Sequence, residues 1–310
     1  MTTAFVFPGQ GSQSVGMLND LADLKVVQDT VAEASEALSL DLMSMMKNGP
    51  VEDLNHTVNT QPVMLTASIA AYRAWLEAGG AKPTLMAGHS LGEYSALTAS
   101  GVFSLSDAVK LVRIRATAMQ SAVPVGVGGM AAILGLDDDT VKFVCETAQA
   151  EVAGEVVQAV NFNSPGQVVI AGHKAAVEKA CELAKAAGAK RALVLPVSAP
   201  FHSVLLKPAA DVLAEALVKV EMNAPQIPVV NNVDVLVETD LANIRDALVR
   251  QAWNPVRWVE CVTYMAEQGV TDVVECGPGK VLAGLAKRID ARVMGHALVD
   301  QASLATILKI

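Results

Sequence analysis

Residues 85–97, with the sequence LMAGHSLGEYSAL, decide the fold of this chain. An apolar run precedes the pentapeptide from Gly88 to Gly92, and a helix-favouring run follows it. This strand–turn–helix context turns G-x-S-x-G into a nucleophile elbow, a sharp turn that exposes the serine hydroxyl. The segment therefore predicts an α/β fold with Ser90 as nucleophile. Without this context, the same motif could also be a chance match in a Gly- and Ser-rich turn.

Strands and helices alternate on both sides of this elbow, which indicates a mainly parallel sheet covered on both faces. A β-like run from Ala4 to Phe7 opens the chain, and the pattern from Ser104 to Asp107 starts a capped helix. Further helices are predicted at residues 26–38, 61–78, 204–219 and 241–251, and further strands at residues 227–231 and 270–275.

The middle of the chain follows a different order. Strands are predicted at residues 129–134, 156–161, 167–171 and 191–195, and helices at residues 137–150 and 174–187. This β-α-β-β-α-β order is typical of a ferredoxin-like unit. We therefore expect a ferredoxin-like subdomain at residues 126–196, inserted into a larger α/β domain formed by residues 1–125 and 197–310. The cleft between them is a usual place for a small ligand.

Composition excludes several classes of function. The chain of 310 residues has a net charge of −9 and only 4% aromatic residues, which disfavours nucleic acid as a partner. Its four cysteines lie far apart without a C-x-x-C pair, so we expect reduced, mostly buried thiols of a cytosolic protein and no metal site.

No membrane or secretory segment is expected. The first residues lack the basic region of a secretory signal. The uncharged run at residues 116–136 contains Pro124 and several glycines, which predicts a helix end, a hinge and a strand rather than a membrane helix. We therefore expect a soluble, cytoplasmic protein.

A serine nucleophile needs a base, and five histidines compete for that role. His202 lies where the chain returns from the inserted segment, in a Pro-containing stretch that could hold an imidazole at the cleft edge. A capped helix start is the alternative. No Asp occupies an obvious third position, so a backbone carbonyl or an amide would have to orient the base. The other histidines are expected at the surface (His56), beside the elbow with a diverging side chain (His89), in a turn (His173) and in a late apolar strand as a hydrogen-bonded core residue (His296).

Arg115 interrupts an apolar helix face. It shares that face with Leu111 and Met119 by helical spacing, and an unpaired buried guanidinium costs several kcal/mol. Three interpretations stay open at this point. Arg115 forms an ion pair with Asp or Glu, extends past the stripe to solvent, or offers a planar fork to a ligand carboxylate.

Several motifs, spread nearly end to end, together resemble one family. They are FPGQGSQ (residues 7–13), QP (61–62), GHSLGE (88–93), Arg115, NFNSPGQ (161–167), FHS (201–203) and GPG (277–279). In this order they are similar to the bacterial malonyl-CoA:acyl carrier protein transacylases, the malonyltransferases of type II fatty acid synthesis.

The resemblance implies an α/β-hydrolase-like core with a ferredoxin-like insertion. It implies transfer of malonyl from malonyl-CoA to the phosphopantetheine thiol of acyl carrier protein through a malonyl-serine, without cofactor or metal. Ser90 would be the nucleophile, His202 the base, and Gln251 would orient the base through its backbone carbonyl. The amides of Gln10 and Leu91 would form the oxyanion hole. The residues expected to bind substrate are Arg115, His89, Gln61, Asn161 and Phe201.

Other functions stay open beside this one. An acyltransferase of a polyketide pathway and a serine thioesterase or esterase would use the same elbow. A nucleotide-binding module is disfavoured, because the glycine loops at residues 9–13 and 277–280 lack the spacing of phosphate-binding fingerprints. We expect a monomer that docks an acidic carrier protein through basic residues, with Lys190, Arg191, Lys280, Lys287 and Arg288 as candidates.

Overall fold

Residues 2–197 and 199–310 are described by the computed structural model, so Met1 and Ser198, which belongs to the return segment before His202, lie outside the description. The strands are β1 (Thr3–Phe7), β2 (Leu85–Gly88), β3 (Gly128–Leu134), β4 (Val157–Ser164), β5 (Gln167–His173), β6 (Arg191–Val194), β7 (Val229–Val230), β8 (Asp272–Cys276) and β9 (Met294–Leu298). The helices are α1 (Lys25–Leu38), α2 (Leu42–Asn48), α3 (Val51–Asn55), α4 (Thr57–Glu77), α5 (Leu91–Ala99), α6 (Leu105–Ser121), α7 (Asp138–Glu151), α8 (Lys174–Ala186), α9 (Lys207–Val218), α10 (Leu241–Gln251), α11 (Trp258–Glu267), α12 (Val281–Ile289) and α13 (Gln301–Ile307).

The larger sheet has the strand order β7-β2-β1-β8-β9, and all of its neighbouring strands are parallel. Its central strand β1 alternates between two apolar clusters. Phe5 and Phe7 pack into one cluster, whereas Ala4 and Val6 pack into the other, beside Trp258. Because successive side chains of a strand point to opposite faces, this alternation shows that both faces are covered. The prediction of an α/β fold with a mainly parallel sheet is confirmed.

The second sheet has the order β4-β5-β3-β6 and is antiparallel throughout. Along the chain its elements run β3, α7, β4, β5, α8 and β6, in the predicted order. The helices α7 and α8 pack on one face of this sheet around an apolar cluster of their own. The chain therefore forms two sheets with separate cores.

At the elbow, the backbones of β1, β2 and α5 pack closely against each other. Ser90 lies at the N-terminal end of α5 with φ 53° and ψ −107°. A Cβ added at Gly88 would lie 1.9 Å from the Gly92 carbonyl, and one at Gly92 would lie 2.0 Å from the Phe7 carbonyl oxygen. The two glycines are therefore needed because backbones approach each other here, while Ser90 itself carries the unusual φ.

Some elements differ from the sequence prediction. The strand predicted at residues 227–231 has only Val229 and Val230 in the ladder. Helix α4 starts at Thr57 rather than Gln61 and contains Pro62. Tertiary packing explains the tolerated proline, because α4 is buried along most of its length. The short helices α2 and α3 were not predicted, since five to seven residues are too few to show a helical period.

The predicted course of the uncharged run and the predicted burial of the cysteines are confirmed. Helix α6 ends at Ser121 and β3 begins at Gly128, so a helix end, a connection and a strand occupy residues 116–136. Within the described residues, none of the helices combines the length and apolar character needed to cross a membrane. All four cysteines are free and buried.

Candidate active site

A cleft of about 640 Å³ lies between the two sheets. The loop after β1, the elbow, strands β4 and β5, the return segment and α12 all contribute to its wall. In parallel sheets ligands bind at the carboxyl ends of the strands, which is where β1 and β2 deliver their loops. The cleft is therefore placed by the topology of the larger sheet.

Ser90 and His202 are in direct contact in this cleft. The Ser90 hydroxyl donates to His202 Nε2 across 2.6 Å, and His202 Nδ1–H donates to the Gln251 backbone carbonyl across 2.8 Å. That carbonyl fixes the tautomer whose Nε2 can accept a proton. Burial, and then the positive charge of Arg115, lower the pKa of His202 to about 3, so the imidazole is neutral at pH 7.

The imidazole is held by a tight turn from Pro200 to Ser203. His202 has φ 65° within this turn. The buried Ser203 hydroxyl donates to the Pro200 carbonyl across 2.7 Å, closing the turn. The proline-containing return segment therefore places an imidazole at the cleft, as its sequence suggested.

Arg115 lies beside Ser90, buried to 2% exposure. Its Nη2 donates to Ser90 Oγ (3.2 Å) and to Gln251 Oε1 (2.9 Å), and its Nη1 donates to Gln61 Oε1 (2.9 Å). The guanidinium also stacks over the Tyr94 ring, 5.2 Å from its centroid. Within the described chain no Asp or Glu oxygen lies within ion-pair distance of it. The ion-pair and solvent-reaching alternatives are therefore wrong, and the fork faces the cleft.

His89 links the elbow to the second sheet. Its Nε2–H donates to Asn163 Oδ1 across 2.8 Å, and its ring packs on Trp258 with centroids 5.6 Å apart. Burial lowers the pKa of His89, so it is neutral. These contacts connect the elbow to the end of β4, through Asn163, and to the start of α11, through Trp258.

The remaining predicted site residues also line the cleft. Gln10 lies in the loop after β1, and its side-chain amide donates to Thr57 Oγ1 across 3.0 Å. Leu91 is the first residue of α5, where backbone N–H groups have no partner within the helix. Asn161 and Phe201 form part of the same wall, and the Asn161 Oδ1 is buried without a partner.

The other three histidines lie elsewhere. His56 is exposed at the start of α4. His173 ends β5 and accepts a hydrogen bond from the Val156 amide, and His296 on β9 pairs with Asp272 across 2.9 Å. The sequence therefore places all three outside the cleft correctly, but His296 is half-buried on the edge strand β9 and not in the core.

Two buried residues of the site escaped sequence reasoning. Asn232 accepts from the Ser90 amide and donates to the Gly88 carbonyl, each across 2.8 Å, so its amide spans the elbow. Glu93 Oε2 accepts from the Asn232 backbone N–H across 2.9 Å. Signals existed for both. Glu93 is the lone charge in an apolar helix start, and Asn232 follows β7 at the carboxyl edge of the sheet.

The arrangement can perform acyl transfer to a serine. A neutral imidazole can take the hydroxyl proton, and a cationic fork beside the nucleophile can receive a carboxylate. Among residues 2–197 and 199–310, no group of three or more His, Cys, Asp and Glu side chains could hold a metal ion. All five predicted docking residues are exposed, and Arg288 Nη1 donates across 3.3 Å to the cleft residue Gln167.

Known proteins are similar to this chain in sequence and in fold. The sequence model of the acyl transferase domain matches residues 4–303. The malonyl CoA-acyl carrier protein transacylase of Escherichia coli (strain K12) is 58% identical over 308 residues, which cover 99% of each chain. An acyl-carrier-protein S-malonyltransferase from Burkholderia pseudomallei has a solved structure with a TM-score of 0.98, 65% identity and full coverage of both chains. A malonyl-transacylase solved with its type II PKS acyl-carrier protein has a TM-score of 0.97 and 54% identity, covering 100% of this chain and 99% of that one.

Proposed function

This chain belongs to the acyl transferase domain family and to its malonyl CoA-acyl carrier protein transacylases, and we propose that it moves malonyl from malonyl-CoA to the phosphopantetheine thiol of acyl carrier protein, supplying fatty acid elongation. One observation carries this proposal. Arg115 Nη2 lies 3.2 Å from Ser90 Oγ with no carboxylate of the described chain to pair with. A buried cation at the nucleophile suits an acyl group that brings its own carboxylate.

Acyl transfer proceeds in two half-reactions. Ser90 Oγ attacks the thioester carbon of malonyl-CoA while its proton passes to His202 Nε2. The carbon–sulfur bond then breaks, and CoA leaves as a thiol with that proton. In the second half-reaction the carrier thiol gives its proton to His202 and attacks the malonyl ester. Ser90 Oγ recovers the proton as the ester bond breaks.

The tetrahedral oxyanion is held by the backbone amides of Gln10 and Leu91. The position of Leu91 at the start of α5 supports this role, because the positive end of the helix dipole lies there. The Ser90 amide is already engaged with Asn232, which leaves the neighbouring amides for the oxyanion. Losing one such donor typically costs about 10²–10³ in rate. The reaction uses no metal and no cofactor.

Selectivity for malonyl arises at Arg115. The malonyl carboxylate pairs with the guanidinium, whereas acetyl leaves the buried guanidinium with no carboxylate in direct contact. Gln61 holds Nη1 from the other side across 2.9 Å and keeps the fork in place. Asn161, Phe201 and His89 form the wall against which the acyl-thioester lies.

Architecture follows from the same family membership. Residues 1–125 and 197–310 form an α/β-hydrolase-like catalytic domain, and residues 126–196 form an inserted ferredoxin-like subdomain. The antiparallel order β4-β5-β3-β6 supports the ferredoxin-like description. The protein acts as a cytoplasmic monomer. The carrier protein docks at the exposed basic residues Lys190, Arg191, Lys280, Lys287 and Arg288.

Intact-mass measurement after incubation with malonyl-CoA tests the proposal. The wild type should gain one malonyl group and lose it to a holo-carrier protein, while Ser90→Ala should gain none. A malonyl adduct on Ser90→Ala would contradict the mechanism. An acyl-enzyme that hydrolyses at once without a thiol acceptor would indicate a thioesterase or esterase instead.

Arg115→Ala tests the selectivity of the same reaction. It should lower malonyl transfer far more than acetyl transfer, because only malonyl offers a carboxylate to the guanidinium. Rates with malonyl-CoA and acetyl-CoA give the comparison. Equal losses of rate for both acyl groups would show that Arg115 does not determine the selectivity for malonyl.

A polyketide pathway is the second candidate. This candidate is supported by the similar malonyl-transacylase whose structure was solved with a type II PKS acyl-carrier protein. Transfer rates to a fatty acid carrier and to a polyketide carrier, compared at equal concentration, separate the two pathways.

A further inference from the structure

The side chain of Gln251 lies between a buried carboxylate and a buried guanidinium. Its Nε2 donates to Glu93 Oε2 and to the Ser90 carbonyl, each across 2.9 Å. Its Oε1 accepts from Arg115 Nη2 across 2.9 Å. One amide therefore connects Glu93, the elbow and Arg115.

This amide fits its site in one orientation. Turned over, the Gln251 oxygen would face Glu93 Oε2 and the Ser90 carbonyl, which are both acceptors. Its NH₂ group would then face Arg115, which can only donate. Glu93 and the elbow thus force Oε1 of Gln251 to point at the guanidinium.

Glu93 is itself held in place. It lies in the first turn of α5 at 2% exposure, and its Oε2 also accepts from the backbone N–H of Asn232 across 2.9 Å. The charged groups that face it are Arg115, which favours its ionised form, and Asp234, which disfavours it. The Cys261 thiol and the Tyr94 hydroxyl are its other titratable neighbours. Burial raises the pKa of Glu93 to about 7.

We propose that Glu93 is a positioning residue for malonyl selectivity, which acts through the Gln251 amide to aim Arg115 at the acyl carboxylate. The inference rests on the proposed function. It goes further, because Glu93 does not hydrogen-bond to Ser90 Oγ and yet determines which atom of Gln251 faces the guanidinium that does. Both of its hydrogen bonds reach a single oxygen, so an acceptor at this place is what the relay requires.

Three substitutions at Glu93 separate the acceptor from the charge. Glu93→Gln keeps an acceptor oxygen and removes the charge, whereas Glu93→Asp keeps the charge and withdraws the oxygen. Glu93→Ala removes both. The ratio of kcat/KM for malonyl-CoA to that for acetyl-CoA is the readout, because a merely destabilised enzyme loses both activities alike.

We expect the ratio to fall about tenfold or more in Glu93→Ala and Glu93→Asp, because both lose the acceptor oxygen. In Glu93→Gln the ratio should stay within about threefold of wild type, because the acceptor remains. The small loss there arises because a hydrogen bond to a neutral acceptor is weaker than one to a charged acceptor. Glu275→Ala is the matched control. Glu275 is also fully buried, with its pKa raised by burial to about 7, but its Oε2 accepts from the Ala283 amide, away from Gln251. Its substitution should leave the ratio unchanged.

An unchanged ratio in Glu93→Asp overturns the inference, and so does a Glu93→Gln ratio as low as that of Glu93→Ala. If Glu93→Ala does not fold, the ratio measured for Glu93→Asp still tests the inference. Failure of the proposed function has a different signature. In that case the wild type itself forms no malonyl-Ser90, whatever the Glu93 variants do.

Discussion

Ser90 and His202 both have a positive backbone φ, 53° and 65°. Such conformations cost of order 1–3 kcal/mol per residue outside glycine and persist only where neighbours enforce them. Asn232 bonds to both sides of the elbow around Ser90, and the hydroxyl of Ser203 closes the turn around His202. The contact between the two side chains is therefore prepared by the backbone before any substrate binds.

Arg115 also affects the base through space. Its positive charge is the second cause, after burial, of the low pKa of His202. Arg115→Met removes the charge with an apolar side chain of similar length, so the pKa of His202 should rise. Because only neutral His202 can accept the Ser90 proton, the acid limb of acylation by acetyl-CoA should move to higher pH. Rates of acylation measured across pH check this.

Arg115→Lys is the control for this prediction. It keeps a positive charge near Ser90, so its acid limb should stay close to that of the wild type. An acid limb that moves equally in both variants would show that loss of the guanidinium hydrogen bonds, and not loss of charge, is responsible.

At the scale of elements, the elbow depends on how closely α5 approaches β1. A Cβ at position 92 would lie 2.0 Å from the Phe7 carbonyl oxygen, so Gly92→Ala should push α5 away from β1 and move Ser90. Because a displacement of about 1 Å can cost about 10² in rate, we expect acylation to slow by about a hundredfold or more. Single-turnover acylation measures this effect.

Gly284→Ala provides the matched control on another helix. A Cβ added at Gly284 in α12 meets nothing within 4 Å. Alanine in place of an exposed helical glycine should stabilise the protein by up to about 1 kcal/mol, which urea unfolding would detect, without changing acylation. Normal acylation in Gly92→Ala would show that the elbow tolerates a side chain after all.

At the scale of the whole molecule, the two sheets are joined across the cleft. Besides the bond between His89 and Asn163, the Phe162 amide donates to the Val256 carbonyl, and the Val256 amide donates to the Val160 carbonyl. The Gln158 side chain accepts from the Val204 amide across 2.8 Å. These bonds connect β4 of the second sheet with the chain before α9 and after α10. The two sides of the cleft are therefore hydrogen-bonded to each other.

Buried carboxyl groups make the stability of the whole molecule depend on pH. Burial raises the pKa of Glu275 from 4.5 to about 7, so ionising it costs the folded state up to about 3 kcal/mol. A raised carboxyl pKa means that this cost grows as pH rises from about 4.5 to 7 and is constant above. Glu275→Gln should therefore gain stability relative to wild type as pH rises from 5 to 8.

Urea unfolding at several pH values measures that difference. Glu93 acts in the same direction in both proteins, while His202, whose pKa is lowered, destabilises the fold as pH falls below about 6.5. Both contributions cancel in the comparison of wild type with Glu275→Gln. A difference that stays constant with pH would contradict the prediction.

Much of the fold was predictable because its signals are local. The elbow, the capped start of α6 and the β-α-β-β-α-β order appear as local patterns in the sequence. The Ser104 side chain caps α6 as its pattern indicates. The structure starts α4 four residues before the predicted Gln61, because burial of that helix, and not the local preference around Pro62, decides its length.

The sequence by itself determined a strand–turn–helix with a projecting serine, since these interactions involve neighbours along the chain. Motif resemblance also indicated His202, Arg115 and Gln251, while the roles of Gln10 and Leu91 stay predictions.

Only the tertiary structure decided the partners of these residues. Ser90 meets His202 across 112 residues of chain and Gln251 across 161. The group that orients His202 is a backbone carbonyl, which every residue carries, so no sequence pattern marks it. Glu93 and Asn232 acquire their positions only where the carboxyl ends of separate strands come together.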